Sequence, residues 1–123
     1  MNTETRALVV KCTAGAEAAE RCAQAFTVAA TAAASGVSVS LWLTGDAAWF
    51  GAPGHAERFV LAHSAPLAEL RDTVLALGTL TVCTQCAQRR DLDQADLLAG
   101  VRIAGSASFV DEILQPAVQA LVY

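Results

Sequence analysis

Five short apolar runs are separated along this chain by segments of helical periodicity or by turn signals. A chain built that way folds as a parallel sheet with helices packed against it. Ala7-Leu8-Val9-Val10-Lys11-Cys12 reads as a buried strand. A helix follows from about Ala16 to Ser35. Its polar residues Glu17, Glu20, Arg21, Gln24, Thr27 and Thr31 recur at helical spacing, and Cys22, Phe26, Ala29 and Ala33 fall on the opposite face. Gly36 is placed to end it. Val37 to Leu43 is the second strand. Thr44-Gly45-Asp46 marks a turn, and Gly51-Ala52-Pro53-Gly54 a loop. Arg58 to Ala62 reads as a minor strand. Ser64 and Pro66 open a second helix with Leu67, Leu70, Val74 and Leu77 along one face, and Gly78 closes it. Thr79 to Cys83 is the third main strand, and a short helical piece then carries Cys86 to Arg90. Asp93 and Asp96 signal one more helical turn. Val101-Arg102-Ile103 is a short strand. Ser106 or Ser108 caps a helix to about Leu114, with Phe109 and Ile113 facing in. Pro116 breaks that helix, and Val118 to Val122 is the final strand. Right-handed crossovers then favour a doubly wound sheet with the first strand in its middle, helices on both faces and chemistry at the carboxyl ends of the strands.

At 123 residues the chain is the size of one domain, with no internal repeat or linker. Hydrophobic residues make up 54% and charged residues 16%, which excludes a disordered chain. The 27 alanines suit helices that pack closely on a sheet or on each other. The formal charge of −4 argues against nucleic acid and against anionic lipid as partners. The Met1–Arg6 start lacks the basic-then-apolar pattern of a targeting leader. The apolar stretch from Ala14 to Ala34 carries Glu17, Glu20, Arg21 and Gln24, too polar to span a bilayer. The expectation is a cytoplasmic protein. Seven arginines against one lysine fit a GC-rich bacterial genome.

Four cysteines in a reducing compartment point to free, catalytic or metal-binding thiols rather than a disulfide frame. Cys83 ends a strand just before a helix begins. Free N–H groups at a helix start and the nearby Arg89 and Arg90 favour the thiolate, the reactive form. Against that, a lone cysteine in a strand is often a small buried residue. Cys86 completes a C-x-x-C pair, a spacing used in dithiol redox chemistry and as half of a zinc site. Cys12, Cys22, His55 and His63 supply no second close pair, so no metal is expected. A thioredoxin-type pair fits poorly, because that pair follows an early strand. Cys12, at the end of the first strand, is either a resolving thiol on the same edge or a buried one. Cys22 lies on the apolar helix face with Phe26. His55, in the Gly/Pro loop, is an auxiliary candidate that doubles as an ordinary surface histidine. Trp42 and Trp49 flank the Thr44-Gly45 turn and read as pocket, core or oligomer contacts. No phosphate-cradling glycine loop is present, and no cofactor is expected.

At Val82-Cys83 followed by Ala87-Gln88-Arg89-Arg90, the chain resembles the DsrE/DsrF/TusD-like family of sulfur-transfer proteins. The resemblance extends to the opening strand, the Thr13–Gly36 helix region with Glu20, Arg21 and Phe26, and the Gly36-Val37-Ser38-Val39 strand entry. It also takes in the Leu43-Thr44-Gly45 turn, the Gly105-Ser106-Ala107-Ser108-Phe109 helix and the final strand. It implies a flavodoxin-like α/β domain over 1–123, with a doubly wound, mainly parallel five-stranded sheet in the order 2-1-3-4-5. It further implies trimers or hexamers and a persulfide carried on Cys83. Cys86 departs from the TusD-like pattern, where a small residue stands; other branches of the family show a cysteine pair.

The leading expectation is therefore a cytoplasmic sulfur carrier or sulfurtransferase subunit. Cys83 would accept sulfane sulfur, Cys86 would resolve or share it, and Cys12, Arg89, Arg90 and His55 would assist. The alternatives are a non-catalytic oligomeric or small-ligand-binding protein of the same fold, and a thiol redox protein using Cys83 and Cys86. The geometric expectation is that the third main strand neighbours the first, which puts Cys12 and Cys83 within roughly 10 Å at one edge.

Overall fold

The computed structural model describes residues 6–123; the Met1–Thr5 part of the start, on which the reading of targeting signals rests, lies outside them. The strands are β1 (Ala7–Cys12), β2 (Ser38–Leu43), β3 (Thr79–Cys83), β4 (Arg102–Ala104) and β5 (Val118–Val122). The α-helices are α1 (Ala19–Ala34), α2 (Leu67–Leu77), α3 (Thr84–Arg89) and α4 (Ser106–Ile113). All strand pairs are parallel, in the order β4-β3-β2-β1-β5.

That order corrects the expected 2-1-3-4-5. β2, not β3, lies beside β1 on the inner side, and β5 takes the other side. The reason is in the crossovers. α1 and α2 pack against one another on a single face, so successive right-handed connections step in one direction, from β1 to β2 to β3. The chain reverses only after β4, when α4 crosses the opposite face and delivers β5 next to β1.

Register divides the side chains between two unlike faces. Val10, Cys12, Leu41, Leu43, Leu80 and Val82 share one parity and form the core with Cys22, Phe26, Ala29, Ala33 and Val74. Alanines at the α1 contact let the helix sit close on the sheet, and burying this face is the main source of stability. Gly78, which closes α2, is needed for a similar approach: a Cβ there would stand 2.6 Å from the carbonyl oxygen of Val39. The other face carries Val9, Lys11, Ser40, Trp42, Thr81 and Arg102, and α4 covers it without a single fully buried residue of its own.

Several local expectations change. The helix read from Ala16 begins as a 3-10 turn, Ala16–Ala18, before α1. Arg58 to Ala62 is not a strand. A 3-10 turn at Ala56–Arg58 leads into irregular chain, because Phe59 is drawn into an edge-to-face aromatic series with Phe50 and Phe26. On α2 the buried positions are Leu67, Arg71 and Val74, while Leu77 is exposed. Arg71 is buried at that face because Glu57 accepts two hydrogen bonds from its guanidinium, at 3.1 and 2.8 Å, and Asp72 a third at 3.0 Å. Gly105, rather than Ser106 or Ser108, caps α4. Asp93 does cap the turn Gln94–Asp96, with a reciprocal capping box.

Candidate thiol site at the carboxyl edge of the sheet

β3 ends at Cys83, and α3 starts with the next residue. Two chain paths diverge here. After β3 the chain turns toward the α1/α2 face, where Cys86 and Ala87 enter the core. After β4 it turns at Gly105 to the opposite face and α4. Neighbouring strands whose connections leave on opposite faces open a crevice beyond their carboxyl ends. Cys83 and its register partner Ala104 are the last residues of these two strands.

Cys83 is half-buried and free. Burial pushes its thiol pKa up. The backbone N–H groups of Cys86 and Gln85, the Cys86 thiol and the Lys11 ammonium together outweigh burial, so the net shift is downward. The Cys86 thiol is buried, and its sulfur accepts a hydrogen bond from the Gly45 N–H at 3.2 Å. Gly45 supplies that N–H from a left-handed conformation, φ +56°, with its missing Cβ 2.9 Å from the Thr13 carbonyl oxygen. Only glycine fits that corner.

The arginine pair lies off this spot. Arg89 and Arg90 follow Cys83 by six and seven residues, roughly 9–10 Å along a helix axis. Arg89 is exposed. Arg90 donates to Asp46 at 2.6 and 3.2 Å and to the Cys86 carbonyl oxygen at 3.1 Å, so it ties α3 to the 3-10 turn Gly45–Gly51. Among the described residues, the cation without an ion pair on the sheet face that carries Cys83 is Lys11, which sequence reasoning missed. Its one signal was being the chain's only lysine, interrupting an apolar strand.

Cys12 is not part of this site. β2 separates β1 from β3, about 10 Å of sheet. The parity is also opposite: Cys12 continues the Val10 side and Cys83 the Thr81 side. The Cys12 thiol donates to the Ala14 carbonyl oxygen at 3.2 Å inside the core. It also meets Cys22, and that hydrogen bond and burial push the Cys22 thiol far up. The expected shared edge therefore holds for the backbone ends but not for the side chains.

His55 stacks on Trp49, centroids 5.1 Å apart, with its Nδ1 3.4 Å from Arg58. Both aromatic rings line a separate cleft of about 240 Å³ with Asp46, Arg58 and Phe59. Trp42 is fully buried, edge-on to Phe109 at 5.3 Å, with Arg102 over its ring. Another cleft, of about 680 Å³, runs between α1 and the 61–65 loop, lined by Gln24, Thr27, His63 and Tyr123, and contains no cysteine. Among the described residues no cluster of three or more His, Cys, Asp or Glu side chains is arranged to hold a metal ion, and no helix is long and apolar enough to cross a membrane.

Beneath the thiol edge, Glu112 of α4 gathers three donors. Ser40 donates at 2.6 Å and the Trp42 indole at 3.2 Å, while Arg102 forms an ion pair with it. Burial pushes Glu112 up, but Ser40, Arg102 and Trp42 bring it below the usual carboxylate range.

A half-exposed thiol with two backbone N–H groups aimed at it, a second thiol one helical turn away and a nearby ammonium can hold sulfur as an anion and pass it on. No curated protein matches the chain by sequence. Its fold is similar to the crystal structure of the ychN protein from E. coli, at TM-score 0.80 and 16% identity, covering 97% of this chain and 100% of that one. The sequence profile of the DsrE/DsrF-like family matches residues 7–122, and the chain belongs to that family.

Proposed function

We propose that the protein is a sulfur carrier of the cytoplasm that takes up sulfane sulfur as a persulfide on Cys83. The supporting observation is the position of Cys83 at the carboxyl end of β3, just before α3, half-exposed and with its thiolate favoured. In the transfer, the Cys83 thiolate attacks the outer sulfur of a donor persulfide. A new S–S bond forms at Cys83, the donor's S–S bond breaks, and the donor leaves as a thiolate. Cys86 then has a defined option. Its thiolate attacks the Cys83 Sγ, forms the Cys83–Cys86 disulfide and expels hydrosulfide.

The C-x-x-C spacing of these two thiols also favours a second reading, a dithiol redox protein. Intact-mass spectrometry separates the two. Incubation with a small persulfide donor adds about 32 Da under the sulfur-carrier reading. The redox reading gives instead a loss of about 2 Da on oxidation, without sulfur uptake. A chain that shows neither change has no thiol chemistry, as expected of a non-catalytic protein of this fold.

The family's trimers or hexamers extend to this chain as part of the same proposal. Val110 on α4 and Leu114 just beyond it are 46 and 75% exposed, and Leu121 and Val122, on opposite faces of the edge strand β5, are 40 and 65% exposed. A second copy of the chain is the proposed cover for the β5 edge and these apolar side chains.

A further inference from the structure

Lys11 breaks the apolar run of β1 and faces the α4 side of the sheet. There it stands in register with Trp42, Thr81 and Arg102. Cys83 lies on the same face, two residues beyond Thr81 on β3. Of the other cations near this face, Arg102 and Arg90 are engaged, and Arg89 is exposed at the last turn of α3. Arg102 donates to Thr81 at 2.6 Å and pairs with Glu112, and Arg90 is held by Asp46. Glu112, the carboxylate of α4 on this face, is itself occupied by Ser40, Trp42 and Arg102. Lys11 forms no ion pair among the described residues. Its ammonium instead rests over the Phe109 ring, 4.8 Å from the centroid. Phe109 is in turn fixed edge-on against the buried Trp42. A cation–π contact holds an ammonium in place without neutralising it, which leaves its field available to a neighbouring anion.

We propose that Lys11 is the counter-ion for the anionic sulfur on Cys83, and that Phe109 is the positioning residue that holds it there. The inference rests on the sulfur-carrier reading for its purpose, though not for its measurement. A thiolate or a terminal persulfide sulfur in a partly desolvated crevice gains more from one unpaired cation than it would in water. Lys11 thereby supplies what the arginine pair of α3 is too far along the helix, or too firmly engaged, to give.

The test is the pH profile of Cys83 alkylation by iodoacetamide, read by peptide mapping in the full chain. For Lys11→Met the midpoint moves to higher pH, and labelling at neutral pH slows by about three- to tenfold. Lys11→Arg restores the profile. Phe109→Leu, which keeps the lysine but removes its ring, shifts the midpoint the same way by less. A Lys11→Met profile that overlays the wild type overturns the proposal, as does a shift that Lys11→Arg fails to reverse. Sulfur uptake is scored separately by mass. If the wild type takes no sulfur while Lys11→Met still moves the profile, the carrier reading falls and the counter-ion role stands. If the wild type takes sulfur and the profile does not move, the reverse holds.

Discussion

Four thiols in one small chain meet four different surroundings, and their chemistry follows from those rather than from residue type. Cys12 and Cys22 face each other inside the core, whereas Cys83 stands at the crevice with backbone donors turned toward it. Iodoacetamide at neutral pH is therefore expected to label Cys83 well before Cys22. Peptide mapping that finds Cys22 modified first contradicts the assignment. The expectation for Cys83 was legible in the strand-then-helix punctuation around it. The exclusion of Cys12 was not, because parity separates the two cysteines only once the register of β1, β2 and β3 is known. Lys11 escaped notice for a related reason: its nearness to Cys83 spans two strand neighbours and leaves no mark in local spacing. A second residue-scale prediction concerns Glu57. The Arg71 guanidinium holds its carboxyl down to about 2. A lowered folded-state value means that the stabilisation is present above the ordinary carboxylate pKa and is lost as pH falls through the folded one. Urea unfolding should show wild-type stability dropping between about pH 4.5 and pH 2. Glu57→Gln should be less stable at neutral pH by about 0.5–1 kcal/mol, since Glu57 is half-exposed and solvent screens the pair, and flatter across that window. Equal slopes for the two proteins contradict the pairing.

Among the α-helices, α4 depends least on apolar burial. It has no fully buried residue and is held by the Glu112 cluster and by the contacts of Phe109 with Trp42 and Lys11. Glu112→Ala leaves the Trp42 indole N–H without its acceptor and the Arg102 guanidinium with only Thr81, and should cost about 1–3 kcal/mol. Hydrogen exchange should quicken in Ser106–Ile113 well before α1, and exchange that stays uniform in the variant contradicts this account. The strands, α1 and α2 were readable because period-two or helical apolar patterns mark them. Phe109 and Ile113 were rightly expected to face inward on α4, although each is only half-buried. The Arg58–Ala62 strand was misread because Phe59 serves an aromatic cluster rather than a sheet ladder. The buried Arg71 was unreadable, since its partner Glu57 sits in a loop fourteen residues earlier.

For the molecule as a whole, periodicity identifies strands but does not say which lie side by side. The sheet order followed from where the chain reverses, and that reversal occurs after a three-residue strand, β4, whose short run carries little signal. Moving the reversal to β4 also moves the crevice, from beside β1 to the β3/β4 boundary where Cys83 lies. The exposed apolar side chains at the end of α4 and along the edge strand β5 predict assembly. Light scattering at micromolar concentration should report a homo-oligomer, and Leu114→Glu with Val122→Glu should reduce its mass; a stable wild-type monomer contradicts the expectation. The claim that joins these scales is that Cys83, alone among the thiols, is where sulfur arrives. The direct measurement is site-resolved mass spectrometry of the wild type, Cys83→Ser and Cys86→Ser after exposure to a persulfide donor. The wild type and Cys86→Ser should carry a gain of about 32 Da localised to Cys83, and Cys83→Ser should carry none. Uptake that survives in Cys83→Ser, or that maps to Cys12 or Cys86 in the wild type, contradicts the account.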